Sequence, residues 1–152
     1  MNARMKNPAL AVPGAIQALM ALNSAIKSPT LPETTLYLVH LRASQINGCS
    51  LCVDMHSKEL RKAGTSDERL FAVAAWREAP YFTDAERAAL ALAEAGTLIA
   101  HQPEAVSDAI WEEAGRHFSE NDLAVLVMHV AQINLWNRIN AMTRQVAGSM
   151  GH

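Results

Sequence analysis

Ser44-Gln45-Ile46-Asn47-Gly48-Cys49-Ser50-Leu51-Cys52-Val53-Asp54-Met55-His56 holds both cysteines of the 152-residue chain and the boundary between two predicted helices. Asn47-Gly48 ends one helix, because glycine enters the left-handed cap conformation without strain. A second helix is expected from about Cys49 to Ala63, where Gly64 stops it. At 100° per residue, Cys52 sits about 60° from Cys49 and His56 returns to about 20° from it, so all three share one face. Cys52 and His56 are four residues apart, the spacing at which helical side chains touch.

That face suits thiol redox chemistry. The thiolate is the nucleophile, and a free thiol is only a few per cent ionised at neutral pH. A helix N-terminus and a neighbouring imidazole both raise that fraction. The register with His56 favours Cys52 as attacker and leaves Cys49 to resolve the intermediate as a disulfide. Two other readings stand beside this one. Cys49, Cys52 and His56 would supply three zinc ligands, with His40, His101, His117 or His129 as a fourth at no diagnostic spacing. Alternatively, both cysteines pack as inert core residues.

Outward from this stretch the chain reads as helices. Arg4 and Lys6 before an apolar stretch over 9–22 loosely mimic a secretion signal, but Pro13, Gly14 and Gln17 interrupt it. A helix over 13–27 is expected instead, then a break at Ser28-Pro29-Thr30-Leu31-Pro32. Further helices are expected over 32–47, from Ser66 to before Pro80, over 84–100 behind a capping box at Thr83 and Glu86, from Pro103 to Gly115, and over 120–142. No stretch alternates with period two. Residues 123–130 are apolar nearly all round, which predicts burial in the core or by another subunit. A tail over 146–152 is expected to fray.

Half of the residues are hydrophobic, enough for one core, and 13 basic against 15 acidic residues leave a net charge of −2. No basic cluster marks a nucleic-acid surface, and no apolar run reaches the ~20 residues of a membrane span. Two closely spaced cysteines do not make a secreted disulfide scaffold, and the expected location is cytoplasmic.

The stretch from Leu41 to His56 resembles the alkyl hydroperoxidase D-like (AhpD-like) group of the carboxymuconolactone decarboxylase family. The similarity continues through Ala63-Gly64, Arg69-Leu70, Ala75-Trp76-Arg77-Glu78-Ala79-Pro80, Glu86-Arg87-Ala88-Ala89-Leu90 and Ile133-Asn134-Leu135-Trp136-Asn137-Arg138. The resemblance implies an all-α, single-domain helical bundle over 1–152, with its core over about 13–142, assembling into trimers or hexamers. It implies an antioxidant, peroxiredoxin-type oxidoreductase that reduces hydroperoxides. In the family the second cysteine attacks, the first resolves, and a histidine four residues later relays a proton, which maps onto Cys52, Cys49 and His56. No metal and no cofactor beyond the redox-active Cys49–Cys52 disulfide is implied. The reductant is a lipoyl-protein or a thioredoxin-like protein.

One position departs from the pattern. Peroxidases of the family carry a glutamate twelve residues before the first cysteine, and that position is Tyr37 here. A phenol can relay a hydrogen bond but is a poor base at pH 7. Glu33, one turn upstream on the same face, is the candidate substitute. The alternative to a peroxidase is a family member with little peroxidase activity: a general disulfide oxidoreductase, a lactone decarboxylase-like enzyme or a zinc protein.

Overall fold

Four hydroxyl side chains set where helices begin. Ser66, Thr83, Ser107 and Ser119 each accept a hydrogen bond from a backbone N–H in the first turn that follows, and Thr83 forms a full capping box with Glu86. In the computed structural model, which describes residues 1–149, these caps open α5 (Asp67–Ala72), α6 (Asp84–Thr97), α7 (Asp108–His117) and α8 (Glu120–Thr143). Before them lie α1 (Pro8–Ala11), α2 (Ala15–Ala25), α3 (Glu33–Ile46) and α4 (Ser50–Lys62). A 3₁₀ turn over Val73–Ala75 continues α5. Among the described residues the fold is an all-α helical bundle.

Several boundaries differ from expectation, among them the helix expected from Ser66 to before Pro80, whose 3₁₀ continuation ends at Ala75. The helix expected from Pro13 starts at Ala15, after Gly14 in the left-handed region at φ 81°, and the short α1 precedes it. The helix expected from Pro103 starts at Asp108. Glu104 adopts a φ of 58°, which no helix accommodates, and Ser107 supplies the cap that Pro103 lacks. Of the expected tail, residues 150–152 lie outside the described residues. Gln145 donates to the Met5 carbonyl and the Gly148 N–H to Asp54.

Helix α3 runs between two apolar clusters. Val39 joins Ala89, Leu92 and Ala93 of α6 and Leu123, Leu126 and Val130 of α8. Leu38 and Leu41 join Leu60, Leu70, Val73, Trp76 and Leu90. Full burial of each such leucine stabilises the fold by roughly 1.5–3 kcal/mol. Gly96 lets α6 close on α8, since a Cβ there would meet Val130 Cγ1 at 3.0 Å. Glu94 ties α6 to α3 and to the turn after α5 through Arg42, Arg77 and the Trp76 indole.

Within α8, residues 123–130 are apolar apart from His129. One side is core, and the other exposes Val127, Met128, Leu135 and Met142. Helix α2 is the opposite case and buries none of its residues. Among the described residues no helix is long and apolar enough to cross a membrane.

Candidate active site: paired thiols under an apolar cavity

Helix α3 ends at Ile46 with Asn47 as its C-cap, Gly48 takes a φ of 65°, and Cys49 becomes the N-cap of α4. The reversal brings the Cys49 N–H back to the Ser44 carbonyl at 3.0 Å. One turn into α4, the Cys52 Sγ lies 2.7 Å from the Cys49 Sγ. Both are free thiols, and both are buried. The small cluster around them contains Ala43, Leu51 and Ile133, with Trp136 packed on its edge.

Behind the thiols, α8 presents Asn134, Asn137 and Asn140 at three-residue spacing. Asn47 donates to the side-chain oxygens of Asn134 and Asn137, each at 2.9 Å. Asn137 donates to the Ser44 hydroxyl at 3.0 Å, and that hydroxyl donates to the His40 carbonyl at 2.7 Å. Asn140 donates to the Cys52 sulfur at 3.3 Å, while its oxygen accepts from Asn7 at 2.9 Å. The Asn7 contact thus fixes which end of the Asn140 amide faces the sulfur.

The two thiols titrate as a unit. The Cys49 thiol is lowered to about 7, chiefly because the remaining Cys52 thiol donates to its thiolate; burial works against this, and Asn137 and Asn140 add to it. Losing the second proton is strongly disfavoured. The Cys52 thiol is raised, first by its bond to Cys49 and then by burial.

In front of the pair lie three imidazoles. His56 is buried, and its Nδ1 donates to Glu59 Oε2 at 2.6 Å. Its Nε2 is buried without a partner. The His40 ring stands 4.8 Å from the His56 ring, centroid to centroid. His129 Nε2 donates to the Ile26 carbonyl at 2.8 Å, and His129 Nδ1 pairs with His40 Nε2 at 3.1 Å. Burial lowers the pKa of His129, and burial together with the facing imidazoles of His56 and His129 holds His40 well below its usual value. Both rings are therefore neutral at pH 7. The carbonyl accepts only, so the hydrogen-bond directions follow: His40 Nε2 donates to His129 Nδ1. The remaining His40 nitrogen, Nδ1, carries a lone pair, is buried and has no partner.

These groups line a cavity of about 700 Å³. Cys52, His40, His56 and His129 form part of its wall, and Leu36, Met55, Ile133 and Trp136 make it apolar. Residues of α1 and α2, among them Leu10, Ile16 and Met20, line it as well. Cys52 is among the residues that line the cavity, and Cys49 is not.

Tyr37 and Glu33 line the same cavity. The Tyr37 phenol is pushed up to about 12, first by burial, then by its hydrogen bond to Glu33 and by the charges of Glu33 and Glu59. The carboxylate that touches His56 is Glu59, one turn further along α4. The i, i+3 spacing from His56 to Glu59 is a sequence signal for that contact. His40 and His129 are 89 positions apart, and no local pattern joins them. Among the described residues no group of three or more His, Cys, Asp or Glu side chains is arranged to hold a metal ion.

Residues 13–95 match the pattern of the carboxymuconolactone decarboxylase family. The uncharacterized protein YdfG of Bacillus subtilis is 35% identical over 128 residues, covering 84% of this chain and 86% of YdfG. A crystal structure from Agrobacterium tumefaciens, of a protein of unknown function that carries the AhpD name, superposes with a TM-score of 0.88. That protein is 38% identical, and the match covers 96% of this chain and 98% of that one. The alkyl hydroperoxide reductase AhpD of Methylocella silvestris is 46% identical over 43 residues, 28% of this chain and 24% of that protein. The chain belongs to the carboxymuconolactone decarboxylase family, in its AhpD-like group, and its paired thiols give it a thiol-based redox function.

Proposed function

We propose that the protein is a thiol peroxidase that reduces organic hydroperoxides and is itself regenerated by a dithiol. One observation carries the reading. Two sulfurs 2.7 Å apart, one belonging to a residue that lines an apolar cavity, lie beside a histidine whose free nitrogen is buried.

Cys52 is the attacking sulfur. The resting pair carries its first thiolate on Cys49, but a proton moving across the sulfur–sulfur hydrogen bond exchanges the two forms, and of the two only Cys52 lines the cavity. His56 Nε2 holds the one proton the pair has lost, Cys49 keeps the other, and the Glu59 carboxylate stabilises the imidazolium. The Cys52 thiolate attacks the terminal oxygen of the hydroperoxide. The S–O bond forms, the O–O bond breaks, and the departing alkoxide takes the proton from His56. Cys49 then attacks the sulfenic sulfur, forming the Cys49–Cys52 disulfide and releasing water. A lipoyl-protein or thioredoxin-like dithiol returns two electrons by thiol–disulfide exchange. Tyr37 and Glu33 support the cavity wall in this scheme, and the orienting carboxylate is Glu59.

Thiols that must return to the reduced state after each turnover suit the cytoplasm. The exposed Val127 of α8 lines an apolar groove with Ile99 and Trp111, and further copies of the chain cover it in the trimer or hexamer.

The test is a thiol count before and after one equivalent of cumene hydroperoxide. Both thiols are lost together, and dihydrolipoamide restores them. Thiols that survive the peroxide overturn the reading.

A further inference from the structure

Three buried polar atoms of the described structure have no hydrogen-bond partner: His40 Nδ1, His56 Nε2 and Gln132 Nε2. All three residues line the one cavity that holds Cys52. An unpaired buried polar atom costs roughly 1–3 kcal/mol, so three against one cavity describe a surface built to meet a polar group of a ligand. His56 is accounted for by the proton it carries. His40 is not, and its two sides differ. Its Nε2 is committed to His129, whose own N–H is committed to the Ile26 carbonyl. That chain fixes the tautomer and leaves the Nδ1 lone pair unpaired on a ring that lines the cavity.

The two imidazoles are therefore unlike. His56 has a carboxylate behind it, which supports a positive charge. His40 has another imidazole behind it, which does not. Burial and the neighbouring His56 and His129 also disfavour its protonation. A ring of this kind offers a hydrogen-bond acceptor and cannot serve as an acid.

We infer that His40 Nδ1 accepts the hydrogen bond of the substrate's peroxidic O–H, holding the terminal oxygen in front of Cys52. The inference rests on the peroxidase reading and adds a substrate-binding residue to it. The O–H bond is not broken. The oxygen that Cys52 attacks keeps its hydrogen and leaves the step as the hydroxyl of the sulfenic acid. His40 discriminates in favour of substrates that carry an O–H on the attacked oxygen, namely hydroperoxides, and against dialkyl peroxides.

The test separates peroxide recognition from thiol reactivity. His40→Gln keeps an amide near the position of Nε2, in reach of His129, and removes the acceptor at Nδ1. His40→Asn places an amide oxygen near Nδ1. Each variant is compared with the wild type in oxidation by cumene hydroperoxide and in alkylation by iodoacetamide, which carries no peroxidic O–H. Losing one hydrogen bond to the substrate lowers the peroxide rate of His40→Gln about tenfold. Its alkylation rate stays within about twofold of wild type, and His40→Asn recovers part of the peroxide rate. A wild-type peroxide rate in His40→Gln overturns the inference. Peroxide and alkylation rates that fall in step also overturn it, because His40 would then act on the thiols or the fold. A wild type inert to the peroxide is a different outcome, since it removes the peroxidase reading itself and this inference with it.

Discussion

The two sides of the cysteine pair are built differently. Behind it, Ser44, Asn47, Asn134 and Asn137 form one network between α3 and α8, and Asn140 bonds to Cys52 and Asn7. In front of it, His40, His56 and Gln132 line a cavity, and each holds a buried atom without a partner. A satisfied buried network holds its members in one arrangement. An unsatisfied one leaves bonding capacity for whatever enters. The site is thus a fixed back plate that positions the thiols and an open front where they react.

The strongest test of this division is Cys52→Ser. It takes peroxide consumption down to the uncatalysed background, while helix content by circular dichroism is unchanged. Residual turnover would move the attack to Cys49. Asn137→Ala should break the back instead. Asn137 is 1% exposed and bonds to both Asn47 and Ser44, so the substitution costs about 2 kcal/mol in chemical denaturation. A variant as stable as wild type would show that the network adds nothing to the fold.

Glu59→Gln acts on the front. It retains a hydrogen-bond acceptor for His56 but not the charge behind the imidazolium, and the peroxide rate falls about tenfold with stability little changed. The pH dependence probes the contact between the two sides. With the Cys49 thiol lowered to about 7, the alkylation rate rises with pH through neutrality and levels off above it, because only the thiolate reacts. Asn140 donates to Cys52 and stabilises the thiolate form of the pair. Asn140→Leu therefore moves that rise to higher pH, by up to about one unit. An unmoved curve would remove Asn140 from the electrostatics of the pair. The smallest effect is expected from Tyr37→Phe. A phenol held at about 12 is not a base at neutral pH, so the rate changes less than about threefold. A larger loss would put the Tyr37 hydroxyl into the proton path.

Legibility of the site in the sequence follows the same division. The Cys49, Cys52 and His56 register is local and periodic, and one helix delivers it. Helix starts were readable wherever a hydroxyl stood before an acidic first turn, as at Ser66, Thr83 and Ser119. Ser107-Asp108 carries the same signal, and the prolyl residue at 103 obscured it. Glu59 was equally local, but a family pattern that places its carboxylate upstream drew attention to Tyr37 and Glu33 instead. The His40–His129–Ile26 chain was not readable. Its members come from α3, α8 and the loop after α2, and only packing brings them together. Asn140 was hidden for the same reason, since its partners Cys52 and Asn7 lie 88 and 133 positions away.

The cavity's makers divide along the chain as well. Its sulfur and its imidazoles come from α3, α4 and α8, whereas part of its apolar wall comes from α1 and α2. Helix α2 has no fully buried residue, so its residues answer to fewer packing constraints than those of α3 or α8. Substitutions at Ile16 or Met20 can reshape the chamber without disturbing a single hydrogen bond of the reacting groups. Substrate range and reaction chemistry are thereby written in separate stretches of the gene. Selection can tune which molecules are admitted while the chemistry inside is left as it is.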